Sequence, residues 1–253
     1  MVLKQYNYDE ISEIYDDLEL GGGSGPIVID VLDKLFKKYK VKTVLDMTCG
    51  TGAQTVELAK LGYKITGSDI NKPMLDIAKR KSKGLNIKYY FGDIRDSKYG
   101  KFDAIISMFN AIGHLSEKDF EKAINNISKN LKEKGLYVFD IFNLVYMNEN
   151  FINYKFIDRA FELKDEKFVR FNKNKINFDK GILRINQEIY KQKGFEKPEI
   201  KKESWDMQIY SKERIEKMLL KNGFKVLSFL DLKGSKLNEK ENLSILTVAK
   251  KTS

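Results

Sequence analysis

The run Val44-Leu45-Asp46-Met47-Thr48-Cys49-Gly50-Thr51-Gly52 constrains this chain most. Apolar residues close on an acid, two glycines follow one residue apart, and Gln54 to Leu61 reads as the start of a helix. That is a strand, a tight turn and a helix. Glycines let the backbone approach a ligand closely, and a carboxylate at the strand end can hold one polar group. A phosphate cradle wants a third glycine or a Gly-Lys-Ser/Thr ending. Here Ala53 and Gln54 follow Gly52, with no lysine. The turn suits a ligand held by an acid and bare backbone.

The same alternation continues downstream. Tyr63–Ser68 reads as a strand ending at Asp69, and Lys72–Lys83 as a helix with Pro73 at its start. Ile87–Phe91 is a strand ending at Gly92-Asp93, and Phe102–Ser107 one running into Met108-Phe109-Asn110. Asp119–Leu131 is a helix, and Leu136–Phe139 a strand ending at Asp140. Strands alternating with helices build a parallel sheet covered on both faces. Ser211 starts a further helix that Gly223 stops, and Phe224–Leu230 and Leu243–Ala249 read as two closing, antiparallel strands. Ligands of such sheets bind outside the carboxyl ends of the strands, where Asp46, Asp69, Asp93 and Asn110 would converge. Asp69 stands where an acid accepts from a ribose diol, and Ile94 and Met74 offer apolar walls. Each acid alone reads equally as a turn residue or cap. Three in register are harder to set aside.

Two stretches depart from this pattern. Ile11, Ile14, Tyr15 and Leu18 predict a short amphipathic helix over 8–19, and Gly21–Pro26 then reads as a connector or hinge before a second helix with Val28, Val31, Leu32, Leu35 and Phe36 on one stripe. From 151 to 205, apolar and polar residues alternate with a period near two, and Phe178-Asp179-Lys180-Gly181 reads as a hairpin turn. This predicts antiparallel strands inserted after the parallel ones.

The net charge of +10 admits nucleic acid, an anionic surface or acidic substrates, but the lysines are dispersed, without the basic stripe of a nucleic-acid site. Of that excess, +5 falls in residues 151–205. One cysteine among 253 residues rules out a disulfide framework and fits a reducing compartment. Cys49 has no His, Lys or Arg near it in sequence to make a reactive thiol. Neither a signal peptide nor a membrane span is evident. The expectation is a cytoplasmic protein with no membrane contact and no metal.

The segments VLDMTCGTG, ITGSDINKPML, YYFGDIRD, FDAIISMFNAIGHL and GLYVFDIF resemble, in order and spacing, the motifs of class I S-adenosylmethionine-dependent methyltransferases. The resemblance covers roughly residues 8–145, and the closing helix and strands also fit. It implies an α/β fold: a Rossmann-like, doubly wound, seven-stranded, mostly parallel sheet with the last strand antiparallel, plus an antiparallel β insertion. Residues 1–145 and 206–253 would form the cofactor-binding domain, and 146–205 the insertion, as substrate cover or dimer contact. The cofactor would be S-adenosylmethionine, released as S-adenosylhomocysteine. The resemblance implies cofactor contacts from Tyr15, Asp46, Thr48, Gly50, Gly52, Asp69, Ile70, Met74, Asp93, Ile94, Met108, Phe109 and Asn110. Tyr15-Asp16 resembles a Tyr-Asp pair in the helix that lids the cofactor in this family, although Glu19 and Leu20 stand where another aromatic often follows.

His114, the single histidine, and Tyr15 are the candidate catalytic residues. His114 reads either as a structural histidine of its loop or as a substrate-orienting group or weak base. Tyr6, Tyr146 and Trp205 are further pocket candidates. The loop at 108–115, the insertion and Ser204–Arg214 resemble the branch containing amino-sugar N,N-dimethyltransferases and glycine/sarcosine N-methyltransferases. This implies a small-molecule acceptor, an amine nitrogen ahead of oxygen or carbon, and the +5 insertion would favour a nucleotide diphosphate. The alternatives are an RNA methyltransferase, for which neither an appended RNA module nor an Asn/Asp-Pro-Pro-Tyr/Phe motif is present, an adenosine binder without transfer, or a lyase using the sulfonium as a charge. The insertion's exposed strand edges suggest a homodimer.

Overall fold

A computed structural model of the protein describes residues 3–20, 24–151, 154–163 and 165–252. Five strands alternate with helices: β1 (Thr43–Asp46), β2 (Lys64–Asp69), β3 (Lys88–Phe91), β4 (Phe102–Ser107) and β5 (Leu131–Phe142). Helices α1 (Ser24–Tyr39), α2 (Ala53–Lys60), α3 (Lys72–Lys81) and α4 (Glu117–Asn130) connect them, and a short helix α5 (Leu144–Asn150) follows β5. The second sheet comes next in the chain, with β6 (Phe156–Leu163), β7 (Glu166–Asn177), β8 (Ile182–Lys193) and β9 (Glu199–Gln208). Helix α6 (Lys212–Lys221) and strands β10 (Phe224–Leu230) and β11 (Ser244–Lys251) return to the first sheet.

The first sheet has seven strands in the order β10-β11-β5-β4-β1-β2-β3. Strands β1 to β5 run parallel, and β11 is antiparallel to both β5 and β10. The chain winds outward from β1 toward β3 on one side and from β4 toward β5 on the other. A crevice therefore opens at the carboxyl ends of β1 and β4, where the winding reverses. One face packs Ile105, Phe139 and Tyr137 on Phe120, Ile124 and Ile127 of α4 and Ile215 and Leu219 of α6. The other packs Val44, Ile106 and Val138 on Val28, Leu32 and Phe36 of α1 and Leu58 of α2. The continuous apolar runs of these strands reflect burial on both faces. Strand β5 is longer than Leu136–Phe139 because β11 pairs along it as far as Phe142.

The second sheet is antiparallel, in the order β6-β7-β8-β9, with Phe178–Gly181 turning β7 into β8. Leu183, Ile185, Trp205 and Met207 form its core, against Tyr6, Phe142 and Leu144.

Residues 9–20 differ from the expected amphipathic helix. They form a 3-10 helix over Asp9–Ile14 and a π-helical turn over Asp16–Leu20. Side chains here are tied in divergent directions. Asp16 accepts from Thr51 (2.5 Å) and pairs with Lys81 (2.5 Å), while Glu19 pairs with Arg170 in β7. Such ties override a weak local preference for regular winding. Upstream, the Asp206 amide donates to the Lys4 carbonyl (2.9 Å), so the N-terminal segment runs along β9 before crossing to α3. The expected hinge at Gly21–Pro26 lies, at residues 21–23, outside the described residues. Among the described residues no helix is long and apolar enough to cross a membrane.

Candidate active site

A cavity of about 500 Å³ opens at the carboxyl ends of β1, β2 and β4, within the ~300–1,000 Å³ typical of small-molecule sites. One wall belongs to the seven-stranded sheet. Gly50 has φ +51, and nothing lies within 4 Å of where a Cβ would stand, so backbone is bare there. The half-buried Asp69 accepts from the Gly50 and Asn71 amides, both at 2.8 Å. Burial pushes the Asp69 carboxyl up, and these N–H bonds pull against it. Ile70, Met74, Ile94 and Met108 supply apolar lining.

Asp93 also lines the cavity, but Arg95 holds both its oxygens, with Nε at 2.9 and 3.0 Å and Nη2 at 2.5 Å. Burial would raise its carboxyl. The guanidinium outweighs that and holds it below the usual carboxylate range. Arg95 reaches Asp119 as well, at 3.6 Å. Among the described residues no lysine lines the cavity. Lysines of the insertion pair away from it, Lys155 and Lys202 with Glu188 and Lys191 with Glu166.

The turn after β4 carries strain. Phe109 (φ 58) and Asn110 (φ 56) are consecutive left-handed non-glycines, worth ~1–3 kcal/mol each. Asp140 accepts from the Asn110 amide at 3.1 Å, and the Asn110 side chain accepts from the Phe142 amide at 2.9 Å. The turn thereby sets Met108 and Phe109 in the cavity wall and aims the chain into the short helix that ends at His114.

The opposite wall is aromatic. Tyr6, Tyr8 and Tyr15 all line it. Tyr8 sits edge-on to Tyr6 (4.9 Å between centroids), to Tyr15 (5.8 Å) and to His114 (5.4 Å). The Tyr8 hydroxyl lies 2.7 Å from His114 Nε2, and the Gln5 side chain donates to the His114 carbonyl at 3.1 Å. Burial pushes the His114 imidazole down to about 4, so it is neutral at pH 7. Burial raises the Tyr8 and Tyr15 phenols, which stay protonated. Two buried polar atoms on lining residues, Thr48 Oγ1 and His114 Nδ1, lack a partner among the described residues.

The sequence-derived set therefore divides. Tyr15, Thr48, Gly50, Asp69, Ile70, Met74, Asp93, Ile94, Met108, Phe109 and His114 come together on the cavity. Asp46, Gly52 and Asn110 do not line it. Asp46 is buried under the turn and accepts from the Thr55 hydroxyl (3.0 Å) and the Thr48 amide (3.3 Å), and burial pushes its carboxyl up to about 7. Gly52 is packed, since a Cβ would meet Ala78 at 3.0 Å and the Tyr89 hydroxyl at 3.1 Å. Asn110 is the buried brace just described. Cys49 is buried, its thiol pushed up by burial, as an inert small residue would be. Trp205 packs behind Tyr6 with the rings tilted by 45° and 4.3 Å between centroids, and neither it nor Tyr146 lines the cavity. Sequence reading missed Tyr8, Arg95, Asn71 and Gln5. Only Tyr8 left a signal, as one of three tyrosines within ten residues of the N-terminal segment.

Residues 44–135 match the family model described as a methyltransferase domain. A putative methyltransferase of Geobacillus sp. is 29% identical over 138 residues, covering 53% of this chain and 54% of that one. A dTDP-3-amino-3,6-dideoxy-alpha-D-glucopyranose N,N-dimethyltransferase of Streptomyces fradiae is 30% identical over 135 residues, 51% of this chain and 52% of that one. The chain thus spans about half the length of the curated relatives it matches. The crystal structure of an S-adenosylmethionine-dependent methyltransferase from Clostridium acetobutylicum superposes with a TM-score of 0.81 at 22% identity, over 97% of this chain and 99% of that one. The fold is therefore the α/β methyltransferase fold, with the antiparallel sheet included.

Proposed function

We propose that this chain, whose residues 44–135 form a methyltransferase domain, transfers a methyl group from S-adenosylmethionine to a small-molecule amine. The observation that carries this reading is the cavity itself. It joins a bare glycine backbone, a ribose-type acid and apolar side chains on one wall to an aromatic wall on the other.

The residues fit the cofactor. Gly50 leaves open space for close approach, Thr48 Oγ1 is a buried hydroxyl in want of a partner, and Asp69 is already oriented by two amides. No lysine competes for a phosphate. Gly50, Thr48 and Asp69 would hold the polar parts, and Ile70, Met74 and Ile94 the adenine. Asp93 would meet it only through the Arg95 pair. When bound, S-adenosylmethionine supplies a methyl group activated by its sulfonium.

The protein's share is alignment and exclusion of water. Tyr6, Tyr8 and Tyr15 present π surface to a cationic centre, which suits a substituted amine and its ammonium product. Met108 and Phe109, fixed by the strained turn, stand at the passage between the two walls. The second sheet and residues 3–20 would cover the acceptor. A reducing, cytoplasmic setting suits the single cysteine, and the exposed Ile157 and Ile200 of β6 and β9 suit a dimer contact.

The test is incubation with methyl-labelled S-adenosylmethionine and a panel of nucleotide-linked amino sugars, glycine and sarcosine, read by mass spectrometry. Label on an amine nitrogen is the expected result. Label found on oxygen, or on none of these amines, would contradict the acceptor assigned here.

A further inference from the structure

Resting on that reading of the cavity, we infer that Tyr8 is a positioning residue. Its phenol donates to Nε2 of His114 and fixes the neutral imidazole with its proton on Nδ1, so His114 offers the acceptor molecule a donor and does not serve as a base.

A neutral imidazole carries one N–H and one lone pair, and the bond made at one nitrogen decides the other. The Tyr8 hydroxyl is 2.7 Å from Nε2. Among the described residues this is its one hydrogen bond. Its other neighbours, Tyr6 and Tyr15, meet it through ring edges. A phenol O–H is the more acidic donor and an imidazole lone pair the better acceptor, so the 2.7 Å bond is made by donation from Tyr8 to the Nε2 lone pair, and the ring proton then sits on Nδ1. Burial keeps the imidazole neutral in the working range, which agrees with this assignment. Nδ1 is itself buried on a residue of the cavity wall, and no acceptor for its N–H stands among the described residues, which leaves that place to a bound molecule.

The inference names a feature of the substrate. An amine alone, at the moment it attacks, must point its lone pair at the methyl group and cannot also satisfy Nδ1–H. The acceptor molecule therefore carries an oxygen near the amine, as a hydroxyl, ether or carboxylate. Amino alcohols, amino sugars and amino acids share this chemistry, and simple alkylamines lack it.

Because the chain has one histidine, selective 15N-histidine labelling gives a spectrum of His114 alone. Long-range 1H–15N correlations on the unliganded wild type at pH 7 read the tautomer directly, with no variant and no turnover. The expected pattern is a protonated Nδ1 and an unprotonated Nε2. A protonated Nε2, a mixture of tautomers, or an imidazolium would overturn the inference. Tyr8→Phe, if folded, is expected to lose the single-tautomer pattern, and an unchanged pattern would also overturn it. In turnover, His114→Ala removes the N–H offered to the acceptor molecule, and is expected to raise KM for the acceptor ~10-fold or more while kcat falls by less than ~10-fold. Loss of kcat by 100-fold or more would return His114 to the role of base. Failure of cofactor binding with the Nδ1–H pattern intact would remove the methyl-transfer reading and leave the role of Tyr8 standing.

Discussion

The two walls of the cavity are built on opposite plans. On the strand-end wall the acids are already bonded within the protein, Asp69 to two amides and Asp93 to Arg95, and beneath it Asp46 is bonded to Thr55 and Thr48. On the opposite wall the groups are tyrosines on an irregular segment, held by a few ties to both sheets, with His114 reaching them from the short helix after β4. On the function proposed above, the first plan would give the cofactor a preformed seat and the second would meet the acceptor. The division follows from backbone: strand ends of a buried sheet are fixed by their ladders, whereas residues 3–20 owe their place to side-chain contacts and to the backbone bond between Asp206 and Lys4.

The comparison can be sharpened first at Asp140, under the strand-end wall. Burial pushes its carboxyl up to about 7, against the pull of the Asn110 and Phe109 amides, and burial does the same to Asp46. Both folded values lie above the ordinary value near 4, so the stability each contributes is full below about pH 4 and is lost as pH rises through about 7. Asp140→Asn keeps an acceptor for those amides and removes one of the two contributions. The fall in unfolding free energy between pH 4 and 8 should shrink by on the order of 3 kcal/mol, measured by urea unfolding at each pH. His114 acts in the opposite sense, gaining stability as pH rises from about 4 to its unfolded value near 6.5, but that part is common to both proteins and cancels.

Gly52→Val probes the same wall sterically. With φ +79 and Ala78 3.0 Å from the new Cβ, it should cost roughly 3 kcal/mol and lower the melting temperature by roughly 6–12 °C. A drop under about 2 °C would mean that the turn is not rigid. On the opposite wall, Arg170→Met removes the side chain that ties β7 to Glu19 and Asp158. Loss of ~1–2 kcal/mol is expected, given partly exposed partners, with faster amide exchange confined to residues 9–20. Exchange spreading into β1 and β2 would show that the two walls are one unit. Smallest should be Arg80→Ala, which breaks an exposed pair with Glu13 and should change stability by less than ~0.5 kcal/mol in a thermal melt.

The seven-stranded sheet was legible because its period is strong. Apolar runs end in acids, glycines mark the turn, and Pro73 and Ser211 mark helix starts. The candidates at and just past the strand ends, Thr48, Gly50, Asp69, Ile70, Asp93, Ile94, Met108 and Phe109, reached the cavity for the same reason, since strand ends share one edge. Depth was not legible. Asp46 and Asp69 close successive strands, yet one is buried under the turn and the other reaches the cavity, a difference set by Thr55 beneath and Gly50 above. Tyr8 was missed because its partner, His114, lies 106 residues away, brought near by a strained turn that no propensity announces. Arg95 was missed because an arginine two residues from an acid reads as surface charge until both are found on one wall.

Calorimetric titration of S-adenosylhomocysteine into wild type and Asp69→Ala tests the central claim most directly, with a thermal melt to establish that the variant is folded. Micromolar binding to wild type, weakened ~10-fold or more in the folded variant, is the predicted result and corresponds to ~1.4 kcal/mol or more. Absence of binding to wild type, or equal binding to both proteins, would contradict the assignment of this cavity as the cofactor site.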